Sequence, residues 1–216
     1  MHKISVLLAD DHAIIRDGLK QLLADTDDIS VEGEAANGNE VLALVRECDW
    51  DLVLLDISMP GRSGLDLIKV LKEERPDLRI LVLSMHHEEQ YAVRALHAGA
   101  SGYLTKESDS EVVIGAVRRV AGGGVYMSDK VAELMVRDRQ PATEPLPHTR
   151  LSDREYQVFD MLVSGLGLTE IGERLSLSVK TISTHKTHIF EKMNVSNTAA
   201  LIHYAIAHHL TKTEEY

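Results

Sequence analysis

Three aspartates, a serine and a lysine raise the first chemical question. Asp10 and Asp11 close the run "ISVLLADD", Asp56 closes "LVLLD", Ser84 closes "RILVLS", and Lys106 follows "GYLT". Adjacent carboxylates repel, so at neutral pH they call for a cation or a proton. Oxygen-only donors suit magnesium, which takes one or two carboxylates and keeps waters for a phosphoryl partner. An aspartate beside such a metal can act as a nucleophile and become an aspartyl phosphate. Lys106 can meet a phosphoryl oxygen as a point charge, and the Ser84 hydroxyl can donate to one. Any one of these residues alone can be a simple cap. The set, delivered from four strand ends, points to a site.

The elements that would deliver them alternate. Apolar runs at 4–9, 29–35, 52–55, 79–84 and 102–104 are separated by amphipathic stretches at 13–24, 39–47, 64–74, 88–98 and 109–121. Strand and helix repeated in this way predict an α/β unit, a five-stranded doubly wound parallel sheet covered on both faces. A continuous run such as "LVLL" suits a strand buried on both sides. Right-handed crossovers leave few topologies. Ligands of such sheets bind beyond the carboxyl ends of the strands, which is where Asp10, Asp11, Asp56, Ser84 and Lys106 fall. Pro60 and Gly61 predict a rigid turn beside Asp56, and Ser63 can cap the helix after it.

Composition narrows the class. With 216 residues, 44% of them hydrophobic, the chain can bury one large core or two small ones. No apolar run approaches the roughly 20 residues of a membrane span. The opening "MHKISVLLADD" reaches charge too soon for a secretory signal. A single cysteine, Cys48, excludes an internal disulfide and a multi-cysteine zinc site. A cytoplasmic protein without membrane partners is expected. The net charge of −11 hides an asymmetry: residues 1–120 hold 13 Lys and Arg against 22 Asp and Glu, whereas residues 150–216 hold 7 against 8. The second half can therefore carry a local basic face.

Between the halves, "RQPATEPLPHTR" lacks periodicity and contains three of the five prolines, which favours extended backbone. The expected division is 1–121, a linker over 122–149 with a helical portion within "VYMSDKVAELMVRD", and 150–216.

The second half reads as a small all-α unit. Ser152 and Glu155 have capping-box spacing, Leu151 and Tyr156 stand at staple positions, and Gly165 stops the helix. A short helix at 168–175, a turn at 176–178, a helix at 179–193 capped by Ser178 and a fourth at about 197–208 spell a helix-turn-helix. On the third helix, Val179, Ile182, Ile189 and Met193 form the predicted core stripe, with Lys180, Ser183, Thr184 and Thr187 opposite. Lys180, Lys186 and Lys192 against Glu191 make it locally basic. His185 and His188 lie three apart, but no third metal ligand is near in sequence.

Two resemblances sharpen these expectations. The Asp10-Asp11 pair with "LLDISMPGRSG", "LVLSMH" and "GYLTK" resembles the receiver domain of two-component response regulators over roughly residues 1–120. This resemblance implies that Asp56 accepts a phosphoryl group from the histidine of a partner sensor kinase. It implies Mg2+ held by Asp11, Asp56 and the Ser58 backbone carbonyl, with Asp10 acting through water. Lys106 and Ser84 would bind the phosphoryl group, Tyr103 would be the switch residue coupled to Ser84, and Ser58 and His86 would tune dephosphorylation. The second stretch, "LSDREYQVFDMLVSGLGLTEIGERLSLSVKTISTHKTHIFEKMNV", resembles the DNA-binding domain of NarL/FixJ, or LuxR-type, regulators.

That likeness implies base contacts at Ser183, Thr184 and Thr187, with Lys180, Thr181, Lys186 and Lys192 near phosphates of double-stranded promoter DNA. It also implies a homodimer through the fourth helix, around Ala199 to His203, with RNA polymerase as a further partner the reading allows. Gly172, Gly167 and His209 depart from the usual pattern. The proposed base readers lack Arg and Asn, so modest base discrimination and a salt-steep affinity are expected. The implied function is a phosphorylation-controlled transcription regulator, not an enzyme beyond catalysing its own phosphotransfer and dephosphorylation. A magnesium phosphatase using Asp56 would want a second acid two residues on, where Ser58 stands.

Overall fold

The computed structural model describes residues 3–59, 64–85, 88–138, 146–175, 177–208 and 210. The chain forms two compact units, Met1–Gln140 and Pro141–Tyr216.

In the first unit, β1 (Ile4–Ala9), β2 (Ile29–Ala35), β3 (Leu52–Leu55), β4 (Ile80–Ser84) and β5 (Gly102–Thr105) alternate with α1 (Ala13–Ala24), α2 (Gly38–Glu47), α3 (Gly64–Glu74), α4 (Glu88–His97) and α5 (Ser110–Ala121). All pairings are parallel, in the order β2-β1-β3-β4-β5. Strands β3 and β4 are buried at every position, as their unbroken apolar runs require. Val6, Leu8, Leu54, Leu81 and Leu104 pack with Leu23 of α1 and Val113, Val117 and Val120 of α5. By strand alternation Leu7, Val53, Leu55 and Val82, also buried, face the other side of the sheet. From β1 the chain first moves to one side, to β2, and then crosses to β3 on the other. This reversal opens a crevice at the carboxyl ends of β1 and β3.

The expected linker over 122–149 divides in two. After α5, Gly123 takes a left-handed φ of 89°. Its N–H donates to the Val120 carbonyl at 2.9 Å, and that of Gly124 donates to Arg119 at 2.9 Å. This end turns the chain back to the sheet, where Tyr126 bridges Gly102. A Cβ on Gly102 would lie 2.8 Å from the Tyr126 carbonyl oxygen, so the close approach needs glycine. Helix α6 (Asp129–Asp138) then packs on α4 with Val131 buried. Residues 122–138 therefore belong to the first unit by contact, which a local reading of "GGG" as a linker start does not foresee. Pro141 and Pro145 lie outside the described residues, as do Pro60, Gly61, Ser63 and His86.

The second unit has a 3-10 turn, Pro147–Arg150, followed by α7 (Asp153–Val163), α8 (Leu168–Arg174), α9 (Val179–Met193) and α10 (Thr198–Ala207). Both halves of the capping box form: the Glu155 N–H donates to Ser152 Oγ at 3.3 Å, and the Ser152 N–H to Glu155 Oε2 at 2.7 Å. Gly165, at φ 88°, ends α7 with a Schellman pair, Gly165 N–H to the Leu162 carbonyl and Leu166 N–H to Met161. Ile182, Ile189 and Met193 of α9 are buried with Tyr156, Phe159, Ile171 and Leu201. Val179 is the exception to the predicted stripe. It is 44% exposed, because it stands in the first turn at the flank of the stripe.

Gly172, which by propensity alone weakens α8 by about 0.5–1 kcal/mol, has a local reason. A Cβ there would stand 2.8 Å from the Leu177 carbonyl oxygen, at the turn between α8 and α9. Gly167 is the N-cap of α8 and makes no side-chain cap bond. His209 lies outside the described residues.

Candidate functional site

The crevice gathers charge. Asp10 follows β1 directly and Asp56 follows β3, each with a residue exposure of 1%. Backbone bonds fix both: Asp10 N–H donates to the Ala35 carbonyl at 3.0 Å and Asp56 N–H to Ala9 at 2.8 Å. Lys106, beyond β5, is anchored by its own N–H to the Ser84 carbonyl at 2.8 Å. Its Nζ lies 2.6 Å from Asp56 Oδ2 and 2.6 Å from Asp10 Oδ2, with the side chain 4% exposed. One ammonium therefore joins two strand ends. The second oxygens of both carboxylates meet backbone amides: Ser58 N–H donates to Asp56 Oδ1 at 2.8 Å, and His12 N–H to Asp10 Oδ1 at 2.8 Å.

These contacts set the proton affinities. Burial pushes the Asp56 carboxyl up, and Lys106 pulls it only part of the way back. For Lys106 burial opposes the charge, but the Asp56 charge and the bonds to both carboxylates outweigh it, so its pKa is raised. The site thus holds two carboxylates and one ammonium together out of water.

Asp11 stands exposed at the rim. The described residues hold one cluster with metal-ligand spacing, Asp10, Asp11, His12 and Asp56, whose ligand atoms lie within 4.8 Å of one another. His12 Nδ1 is 3.0 Å from Asp11 Oδ1. Its place in "DDH" was its only sequence signal, and sequence reasoning did not single it out. Three carboxylates arranged this way fit a hard divalent cation better than a soft one.

Ser84 and Tyr103 are both fully buried. The parallel register sets Val82 beside Tyr103 and Ser84 beside Thr105, so the ring and the hydroxyl share a neighbourhood on adjacent strands. Of the residues expected at the site, Asp10, Asp56 and Lys106 are in direct contact, Asp11 and Ser58 adjoin them, and Ser84 and Tyr103 line the strands behind.

The second candidate site is α9. Lys180, Ser183, Thr184 and Thr187 are exposed on one side of it, and Thr181 and Lys186 are half-buried. Thr184 Oγ1 donates to the Lys180 carbonyl at 3.1 Å, and Thr187 Oγ1 to Ser183 at 3.1 Å, which leaves each hydroxyl's acceptor side outward. Lys186 Nζ lies 5.3 Å above the Phe190 ring. Lys192 instead pairs with Glu155 Oε2 at 2.6 Å. No described helix is long and apolar enough to cross a membrane.

A parallel sheet with a buried acidic crevice, joined to a helix-turn-helix, defines a transcription regulator of two units. Comparison with known proteins gives the lineage. Residues 6–118 match the response regulator receiver domain, and residues 149–205 match the bacterial regulatory proteins of the luxR family. Response regulator UvrY of Escherichia coli is 35% identical over 212 residues, covering 98% of this chain and 97% of that protein. A structure of RcsB from Salmonella enterica serovar Typhimurium, bound to promoter P1flhDC with the phosphomimetic BeF3-, aligns with TM-score 0.69 and 27% identity over 95% of this chain and all of that one. A structure of two RcsB dimers bound to two parallel DNAs aligns with TM-score 0.59 and 27% identity, covering 95% and 99%. The chain belongs to the two-component response regulators that join a receiver domain to a LuxR-type helix-turn-helix.

Proposed function

We propose that Asp56 is the phosphoacceptor and that its phosphorylation promotes binding of a dimer to promoter DNA. The observation that carries this reading is the Lys106 ammonium, 2.6 Å from two buried carboxylates at the sheet's reversal point. An Asp56 carboxylate oxygen attacks the phosphorus of a phosphohistidine on a sensor kinase. The new P–O bond forms as the P–N bond breaks, and the electron pair stays on the histidine nitrogen. Asp11, Asp56 and the Ser58 carbonyl would hold Mg2+, with Asp10 acting through water, and the ion would supply neutralisation of phosphoryl charge. Lys106 meets another oxygen and Ser84 donates to one. Tyr103 responds to that new bond, shifting an existing equilibrium. Hydrolysis of the acyl phosphate by water resets the chain.

On DNA, α9 enters the major groove with Ser183, Thr184 and Thr187 at base edges. Lys180, Thr181 and Lys186 sit toward phosphates. RcsB, bound to promoter DNA in the relatives above, supports this role. The outward side of α10 carries Ala199, His203 and Ile206, the last 56% exposed, which suits pairing with a second copy. The reading places the protein in the cytoplasm, with a sensor kinase upstream and RNA polymerase downstream.

Incubation with acetyl phosphate and Mg2+ tests it. The expected result is one labile phosphoryl group per chain, absent from Asp56→Ala, with tighter duplex binding by the labelled protein. Sustained turnover of the donor would mean a phosphatase. Absence of label would mean a receiver fold kept for protein contacts.

A further inference from the structure

We infer that Lys192 is not a phosphate contact but, with Glu155, a positioning residue that sets the angle of the recognition helix. This inference rests on the DNA-binding reading of α9. Lys192 stands twelve positions after Lys180, which turns it about 120° round the helix axis and carries it about 18 Å along it. It therefore leaves the face bearing Lys180, Thr184 and Thr187 and points toward α7. There its Nζ meets Glu155 Oε2 at 2.6 Å. Glu155 is only 4% exposed, whereas the Lys192 side chain is 41% exposed, so the pair ties a surface lysine of α9 to a carboxylate fixed in the interior. The same carboxylate oxygen accepts the Ser152 N–H at 2.7 Å, and His188 Nδ1 lies 3.9 Å from the other oxygen. The cap that starts α7 is thus also the anchor for the last turns of α9.

Its neighbour in sequence secures the end of α8. Arg154 donates from Nη2 to the Leu175 carbonyl at 3.0 Å, at the end of α8, and from Nη1 to Gln157 Oε1 at 2.9 Å. Two consecutive residues of α7 therefore hold the turn before α9 and the end of α9. With its last turn held directly and the turn before it held at Leu175, α9 presents Lys180, Ser183, Thr184 and Thr187 at one angle. A lysine held on a protein carboxylate and turned away from the face of Lys180 neutralises no phosphate there, so little counterion release is expected from it.

The test uses the full-length protein and a duplex library with a randomised centre. It reads the slope of log affinity against log salt, and the sequences enriched. Lys180→Gln is expected to reduce the slope by about one, the loss of one phosphate contact. Lys192→Gln should leave the slope at the wild-type value, weaken binding about tenfold and flatten the enriched sequence. Glu155→Gln should do the same, and the double substitution, which removes both charges together, should be no worse than either single one. Lys192→Arg, which keeps the pair, should restore affinity and sequence preference. Thermal unfolding separates mispositioning from loss of fold: every variant is expected to keep a cooperative transition of the second unit, while only Lys192→Gln, Glu155→Gln and their combination bind weakly. A slope loss at Lys192 equal to that at Lys180, with the wild type binding normally, overturns the inference alone. Absence of duplex binding by the wild type overturns it together with the DNA-binding reading.

Discussion

In the first unit Asp10, Asp56 and Lys106 are almost sealed from water, and each is anchored by backbone bonds at the end of a different strand. In the second, Lys180, Ser183, Thr184 and Thr187 stand in solvent along one side of α9. A buried cluster must balance its own charges, because a lone charge in low dielectric is costly. An exposed face needs no such balance and can await a large charged partner. The difference is one of solvation: the polar residues at these strand ends balance one another's charge, whereas those along this side of α9 stand in water, open to a partner from outside. It also makes the two regions respond unequally to the same substitution.

The sharpest contrast is the removal of one lysine from each. Lys106→Ala leaves two buried carboxylates without their shared cation and is expected to cost about 3–5 kcal/mol without added metal. Lys180→Ala, on the exposed face, should change stability by no more than about 0.5 kcal/mol. Urea unfolding of the full chain measures both. Adding Asp10→Asn to Lys106→Ala should recover part of the loss, since one of the stranded charges is gone. Equal small costs at positions 106 and 180 would mean that the buried carboxylates do not depend on Lys106 for their balance of charge.

A divalent cation should act on one region only. At ten times its dissociation constant, Mg2+ is expected to stabilise the first unit by about 1.4 kcal/mol and leave the transition of the second unit unmoved. A chelator should reverse the gain, and Asp11→Asn should weaken it. An equal Mg2+ shift in Asp10→Asn/Asp11→Asn would mean that the cation binds elsewhere.

The two regions should also answer pH with opposite signs. Burial raises the Asp56 pKa. Its contribution is therefore present below the ordinary carboxylate value and lost as pH rises through the raised one. For Glu155, burial works toward a higher pKa, but the bonds from Lys192 and Ser152 outweigh it, and the net shift is downward. Its contribution is present above the ordinary value and lost as pH falls through the lowered one. Unfolding midpoints across pH should show Glu155→Gln losing part of the acid limb of the second unit. Asp56→Asn should remove the decline of the first unit above the carboxylate range. The same pH response in both variants would contradict the assigned pairings.

These regions were not equally legible. The strands announced themselves because "LVLL" and "ILVLS" are buried on both sides and so stay apolar throughout. Asp56 and Ser84 then stood out as the polar residues ending such runs. Capping signals at Ser152, Ser178 and Gly165 act within one turn of chain, and each was readable. What stayed hidden depends on residues far apart in sequence. Nothing near Lys106 says that it meets Asp10 as well as Asp56. Nothing near Lys192 reveals Glu155, 37 residues away. The return of Tyr126 to Gly102 looked like a linker, because its partner lies on β5. Val179 fitted the apolar period of α9 and still faces solvent, since periodicity gives direction round an axis but not the position of the helix end against its neighbours.

The smallest expected effect lies where the second unit departs from the usual capping chemistry. Gly167 caps α8 with a φ of −76° and an extended ψ of 157°, and its side-chain position is open, with nothing within 4 Å of a Cβ. A serine can adopt that backbone without strain and place its hydroxyl oxygen where an amide of the first turn can donate to it. It also has fewer unfolded conformations to lose than glycine. Gly167→Ser is therefore expected to stabilise the second unit by about 0.5 kcal/mol, seen as a small rise in its thermal midpoint, with no change in the Mg2+ response of the first. The same substitution at Gly172 should fail to stabilise, because there the Leu177 carbonyl oxygen stands 2.8 Å from the new Cβ. Equal gains at both glycines would show that the turn between α8 and α9 gives way more easily than its close approach implies, and that an exposed region is also the softer one.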